Sequence, residues 1–155
     1  MKRSCVRFLW AGISVLAVGV VATFCRGQGG TVSPLVTRPD LKVHSISAPG
    51  SASRSASISV SDVTTNIGNA TATGSTSDIY ICPNVNNFIA GCKVGSHAVA
   101  GIAAGRNSTW SGSVTVPAAQ PLGTNYYIVV ANGNRSVLES NYANNTNYVM
   151  IIINP

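Results

Sequence analysis

The chain has 155 residues, enough for one folded domain and little else, and only 9% of them are charged. Ser, Thr, Asn, Gly and Ala prevail over the Glu, Lys, Leu and Arg that build surface helices, a mixture suited to an exported all-β module. The formal charge of +6 rests largely on Lys2, Arg3, Arg7 and Arg26; beyond residue 27, six basic side chains face four acidic ones, a net +2. Those six (Arg38, Lys42, Arg54, Lys93, Arg106 and Arg135) stand singly, with no basic run to track a phosphate backbone, so nucleic-acid binding is not expected.

The first 27 residues have the layout of an export signal. A basic stretch, Lys2 to Arg7, precedes the uncharged, mostly apolar residues 8–25. That run is long for a cleaved signal and just sufficient for a short membrane span. Cys25-Arg26-Gly27 puts small residues at the −3 and −1 positions ahead of Gln28, while Phe24 occupies the place where a lipoprotein signal needs a small residue before Cys25. Cleavage and retention as an anchor are both open, and either places the body outside the cytoplasm: extracellular, at the cell surface or periplasmic. Membrane contact is expected only through residues 8–25, if they are retained.

Residues 28–38, "QGGTVSPLVTR", carry Gly and Pro without a clear period and read as a linker. In "PDLKVHSISAP", Leu41, Val43 and Ser45 alternate with polar residues, as in a half-buried strand. "SASISVSDVTTN" alternates Ala56, Ile58 and Val60 until Asp62 interrupts the apolar face; Val63 is out of phase with Val60, which predicts a strand bulge at Ser61 and Asp62. After a turn in "NIGNATATG", "STSDIYICP" sets Ile79 and Ile81 on one face and Tyr80 on the other. "KVGSHAVAGI" gives a short strand, and "STWSGSVTVP" another with Trp110, Val114 and Val116 inward. In "TNYYIVVAN", Tyr126, Ile128 and Val130 alternate against Tyr127 and Val129, and "NYVMIIIN" closes the chain. About seven short strands punctuated by turns, with no amphipathic helix, predict an all-β antiparallel sandwich over residues 39–155, preceded by a signal or anchor helix.

Outside the export segment only Cys82 and Cys92 remain. In an oxidising compartment they read as a disulfide. Zinc would need two further ligands, and the only histidines, His44 and His97, read as solvent-exposed residues on polar strand faces.

Four stretches in order carry a family likeness. "RPDL" at Arg38 to Leu41, "SVSDVTTNIGNA" at Ser59 to Ala70, "VPAAQPLGTNYYIVV" at Val116 to Val130 and "VLESNYANN" at Val137 to Asn145 resemble the landmarks of CARDB, the cell-adhesion-related domain of bacteria. The resemblance spans Pro39 to the C-terminus and implies an immunoglobulin-like sandwich serving surface contacts. Two departures stand out. An acidic turn of many relatives is Asn132-Gly133-Asn134-Arg135 here, and an acidic loop after the third strand is replaced by "CPNVNNFIAGC". With Glu139 the one carboxylate left in the closing motif, a calcium site is not expected.

The closing motif reads as a structural corner, with Glu139, Asn141, Asn144 and Asn145 folding back on local backbone. Asp62 lacks a partner carboxylate at fixed spacing, and no nucleophile elbow or zincin motif occurs, so neither catalysis nor a cofactor is expected. The candidate recognition loops are those that diverge from the family: Asn84, Asn86, Asn87 and Phe88 in the disulfide-closed loop, and Asn132, Asn134 and Arg135 in the turn. The expected role is a non-catalytic contact module whose partner is an envelope protein or glycan. A carbohydrate platform built from Tyr126, Tyr127, Tyr142, Tyr148 and Trp110 is the alternative, and an enzyme or enzyme inhibitor is the remoter one.

Overall fold

The structure, a computed structural model, describes residues 36–87 and 90–155. The export segment and its expected helix, the linker up to residue 35, Phe88 and Ile89 lie outside the described residues. Eight strands follow one another: β1 (Leu41–Ser47), β2 (Ser51–Ser53), β3 (Ser57–Asn66), β4 (Ser75–Cys82), β5 (Lys93–Val99), β6 (Asn107–Thr115), β7 (Gly123–Val130) and β8 (Thr146–Asn154). A 3₁₀ turn, Ala90–Cys92, leads into β5. They form two sheets, β1-β3-β6 and β2-β8-β7-β4-β5, antiparallel throughout except for the short parallel pairing of β2 with β8. This is an immunoglobulin-like sandwich.

The period-two pattern explains why the sheets face each other. Along β3, Ile58, Val60, Asp62, Thr64 and Asn66 turn inward while the residues between them face out. Leu41 and Val43 from β1, Val114 from β6, Ile79 and Ile81 from β4, Tyr127 and Val129 from β7, and Ile151 and Ile153 from β8 complete the core. Each such aliphatic side chain contributes about 1.5–3 kcal/mol by leaving water. β7 is buried on both faces, since Ile128 is also fully buried although it points away from the core. Its register neighbours are Tyr80 and Tyr148, with Tyr126 two residues back along the strand, so tyrosines cover it on the outer surface.

Two sequence expectations are corrected. No bulge occurs at Ser61 and Asp62; β3 pairs with β6 in unbroken register from Ser57↔Thr115 to Thr65↔Asn107. The extra residue sits on the partner strand, at His44, where the register shifts between Val43 and Ser45. Asp62 keeps the inward phase because the interior supplies it with a partner, and Val63 is the residue that turns out. That partner is His97, which is buried at 8% exposure where a solvent position was expected; His44 is exposed. The three-residue β2 has no sequence signal of its own, lying in the Ser/Ala run before β3.

Candidate functional site

Four carboxylates lie outside the export segment, and each is bonded to other groups of the fold. Glu139 is buried, accepting hydrogen bonds from Leu41 N at 2.5 Å, Asn132 Nδ2 at 2.6 Å and Asn145 Nδ2 at 2.7 Å. Asp40 accepts from Ser140 Oγ at 3.1 Å and Asn144 Nδ2 at 2.8 Å. Asn66, fully buried at the end of β3, accepts from the amides of Asp40 and Gly68 and donates to the carbonyls of Ala70 and Ile102. Gly68 lies so close to the Arg38–Asp40 backbone that a Cβ there would fall 2.4 Å from Arg38 O. The Pro-Asp-Leu, Asn-x-Gly and closing Glu-x-Asn stretches thus meet at one end of the sandwich in a single polar corner that satisfies loop backbone. Asn141 accepts the amide of Ala143 on its exposed rim.

Asn132, expected in a recognition loop, has its side chain turned into this corner. It is 2% exposed, its backbone is left-handed (φ 50°), and its amide group is spent on Val137 N, Val137 O and Glu139. Asn134 and Arg135 are exposed: Asn134 accepts from Thr76 N and Ser136, and Arg135, also left-handed at φ 51°, lies over the Tyr142 ring at 5.1 Å. Cys82 and Cys92 form the disulfide. Within its loop Asn84, Asn86 and Asn87 are exposed, and Asn84 closes a local turn by accepting Asn86 N; Phe88 lies outside the described residues. The two candidate loops do not come together. One follows Cys82, the other follows Val130, and these residues pair with opposite ends of the β4–β7 ladder (Cys82↔Tyr126, Asp78↔Val130). The turn bonds Thr76, six residues before Cys82 along β4, so roughly 20 Å of strand separates the two loops.

A second polar cluster lies between the sheets. His97 Nε2 meets Asp62 Oδ2 at 2.9 Å, joining β5 of one sheet to β3 of the other, with both side chains 5% exposed or less. Trp110 stacks flat on the imidazole, centroids 4.2 Å apart and planes 2° from parallel. Burial first, and the Asp62 carboxylate second, raise the Tyr127 phenol well above its ordinary value. Ser77 is paired with His97 in register and is fully buried. A Ser, a His and an Asp are therefore neighbours, buried between the sheets with Trp110 against the imidazole, and the His97–Asp62 contact ties one sheet to the other. Among the described residues, no three His, Cys, Asp or Glu side chains gather as a metal-binding group would.

What faces solvent as an organised surface is the outside of the five-stranded sheet. On neighbouring rungs it carries Tyr80, Ile128 and Tyr148, then Tyr126 and Met150. Tyr126 and Tyr148 meet edge to face at 5.6 Å, while Tyr148 is 48% and Met150 58% exposed. At one border Asp78 pairs with Lys93 at 2.8 Å, and this hydrogen bond raises the Lys93 ammonium above its ordinary value. Tyr80 also bonds Asp78, and its phenol is raised by burial and by that carboxylate. Of the five aromatics considered for a sugar platform, only Tyr126 and Tyr148 share this face: Tyr127 is in the core, Trp110 is half-buried on His97, and Tyr142 is tied to the corner through Val137 O and Glu139 N. The sequence signal for the face was present in the alternation of Tyr126, Ile128 and Val130, without the register that brings Tyr80, Tyr148 and Met150 beside it.

Comparison with known proteins agrees with this architecture. The chain is similar in structure to the CARDB domain of a Pyrococcus furiosus protein crystallised in complex with di-metal ions, at 16% identity and a TM-score of 0.58, over 76% of this chain and 94% of that one. The solution structure of that same Pyrococcus furiosus domain gives a TM-score of 0.57 at 16% identity, over 76% and 96% of the two chains. At such identity the likeness is one of fold. No curated protein sequence matches significantly. The CARDB family model matches residues 38–149, which take in all four landmark stretches, and the chain belongs to the CARDB family.

Proposed function

We propose that the domain is a non-catalytic contact module of an exported protein, and that it meets another envelope protein through the outer face of its five-stranded sheet. One observation carries the reading. The groups that chemistry would require are consumed inside the fold, whereas Tyr148 and Met150 stand about half exposed on a rigid rung of tyrosines. Tyr and Met are enriched where proteins meet, because they supply large contact area with adaptable or low-entropy side chains. The Cys82–Cys92 disulfide fits an oxidising compartment, and CARDB domains belong to extracellular and surface proteins. Met150 and the half-buried Ile152 beside the tyrosines favour a protein over a glycan, which would ask for aromatic faces flanked by hydrogen-bonding groups.

Saturable binding of the domain to isolated envelope fractions tests the reading. Protease treatment of the fraction should abolish binding and glycosidase treatment should spare it. The reverse pattern would move the assignment to carbohydrate.

A further inference from the structure

We propose that β6 is a homotypic edge: two copies of this chain join their three-stranded sheets by antiparallel pairing of β6 with β6, centred on Ser111. The inference is independent of the reading above, since it leaves the tyrosine face of the other sheet free.

A sheet edge presents unpaired N–H and C=O groups, and proteins guard against pairing there with bulges, charges, short strands or covering contacts. The other edges of this sandwich are all guarded. β1 carries Lys42 and the His44 bulge. β2 has three residues. β8, open beyond its pairing with β2, sends the Asn147 side chain to Val43 O of β1. β5 begins with Lys93 and has an extra residue at Val94, where the register with β4 shifts. β6 has none of these devices: Asn107–Thr115, "NSTWSGSVT", contains no charge and no proline, and its nine pairs with β3 run without a break.

The same ladder shows which groups are offered. Asn66 N donates to Arg106 O at one end and Val116 N to Ala56 O at the other, so even-numbered β6 positions hydrogen-bond β3. By the alternation of an antiparallel ladder, Asn107, Thr109, Ser111, Ser113 and Thr115 aim their N–H and C=O groups at the open edge. All five are exposed. A two-fold axis at Ser111 pairs Ser111 with itself, Thr109 with Ser113 and Asn107 with Thr115, each a pair of bonding residues. It also sets Trp110 opposite Gly112; each indole already lies over its own chain's Gly112 and stacks on its own His97, so neither has to move for the strands to pair. Small hydroxyl side chains line the outer surface of the joined sheet, and no like charges are brought together. That self-complementarity is what an isologous interface requires, and it is why a second copy is the occupant.

The test is sedimentation equilibrium over a wide concentration range on residues 36–155, which close their own core, and on the full chain in detergent. The expected result is a monomer–dimer equilibrium in both. Ser111→Lys places two ammonium groups on the axis and should weaken dimerisation by at least about tenfold, with far-UV circular dichroism and Tm unchanged. Ser113→Lys provides the same reading should the first variant misfold. Ser111→Cys should be joined to its counterpart by a short bis-maleimide, and Ser45→Cys on β1 should not. A chain that stays monomeric at every concentration, a dimer indifferent to both lysines, or equal cross-linking at Ser45 and Ser111 would overturn the proposal.

Discussion

Tyr127 sits fully buried on β7 with a phenol hydroxyl that meets no hydrogen-bond partner among the described residues. Leaving a polar group in that state costs about 1–3 kcal/mol. Tyr127→Phe is therefore expected to leave stability unchanged or to raise it by about 1 kcal/mol, measured by urea unfolding. Burial also sets a pH dependence. The folded phenol holds its proton above the ordinary value of about 10 while the unfolded chain releases it there, so stability falls as pH climbs past about 10. The Phe variant should lose less in that range, and an equal loss would argue against the assignment. Asp62 and His97 behave differently, because removing one partner strands a buried group. His97→Ala should cost about 3–5 kcal/mol. Trp110 is the only tryptophan beyond the export segment, so its emission should change with the loss of the stacked imidazole.

At the scale of elements, the loops hold the fold through specific backbone contacts. Gly68→Ala should destabilise by about 2 kcal/mol or more, since the added carbon meets the Arg38–Asp40 backbone, which cannot swing aside as a side chain could. Replacing both Cys82 and Cys92 by Ser should lower stability by about 2–3 kcal/mol in the chain-entropy account of so short a loop. Thermal melts with and without reductant check it, and the double variant should be indifferent to reductant. The seven longer strands were legible because alternation survives in each of them, from Leu41 and Val43 to Ile151 and Ile153. Hidden from the sequence were the features that depend on which strands become neighbours. Asp62 looked like an interruption because its partner is 35 residues away and in the other sheet. His97 read as a polar-face residue for the same reason. Asn132 resembled a turn-tip residue, yet its amide is drawn inward by Glu139, seven positions later. A phase argument can detect an extra residue in a strand pair but cannot say which strand holds it, and here it is β1.

The whole molecule presents two unlike faces. The outside of the five-stranded sheet is aromatic and apolar around Ile128; the outside of the three-stranded sheet is set with Ser and Thr and ends in an unguarded β6. The two candidate loops stand toward opposite ends of β4, the one after Cys82 and the other bonded to Thr76. Within that geometry, the central claim is that the face and not the polar corner makes the contact. The most direct measurement compares saturable binding to isolated envelope fractions by the unaltered domain, by Tyr148→Ala with Met150→Ala, and by Asn141→Ala on the corner rim. The double variant should bind at least about tenfold more weakly with its Tm unchanged, and Asn141→Ala should bind as the unaltered domain does. Undiminished binding by the double variant would contradict the account.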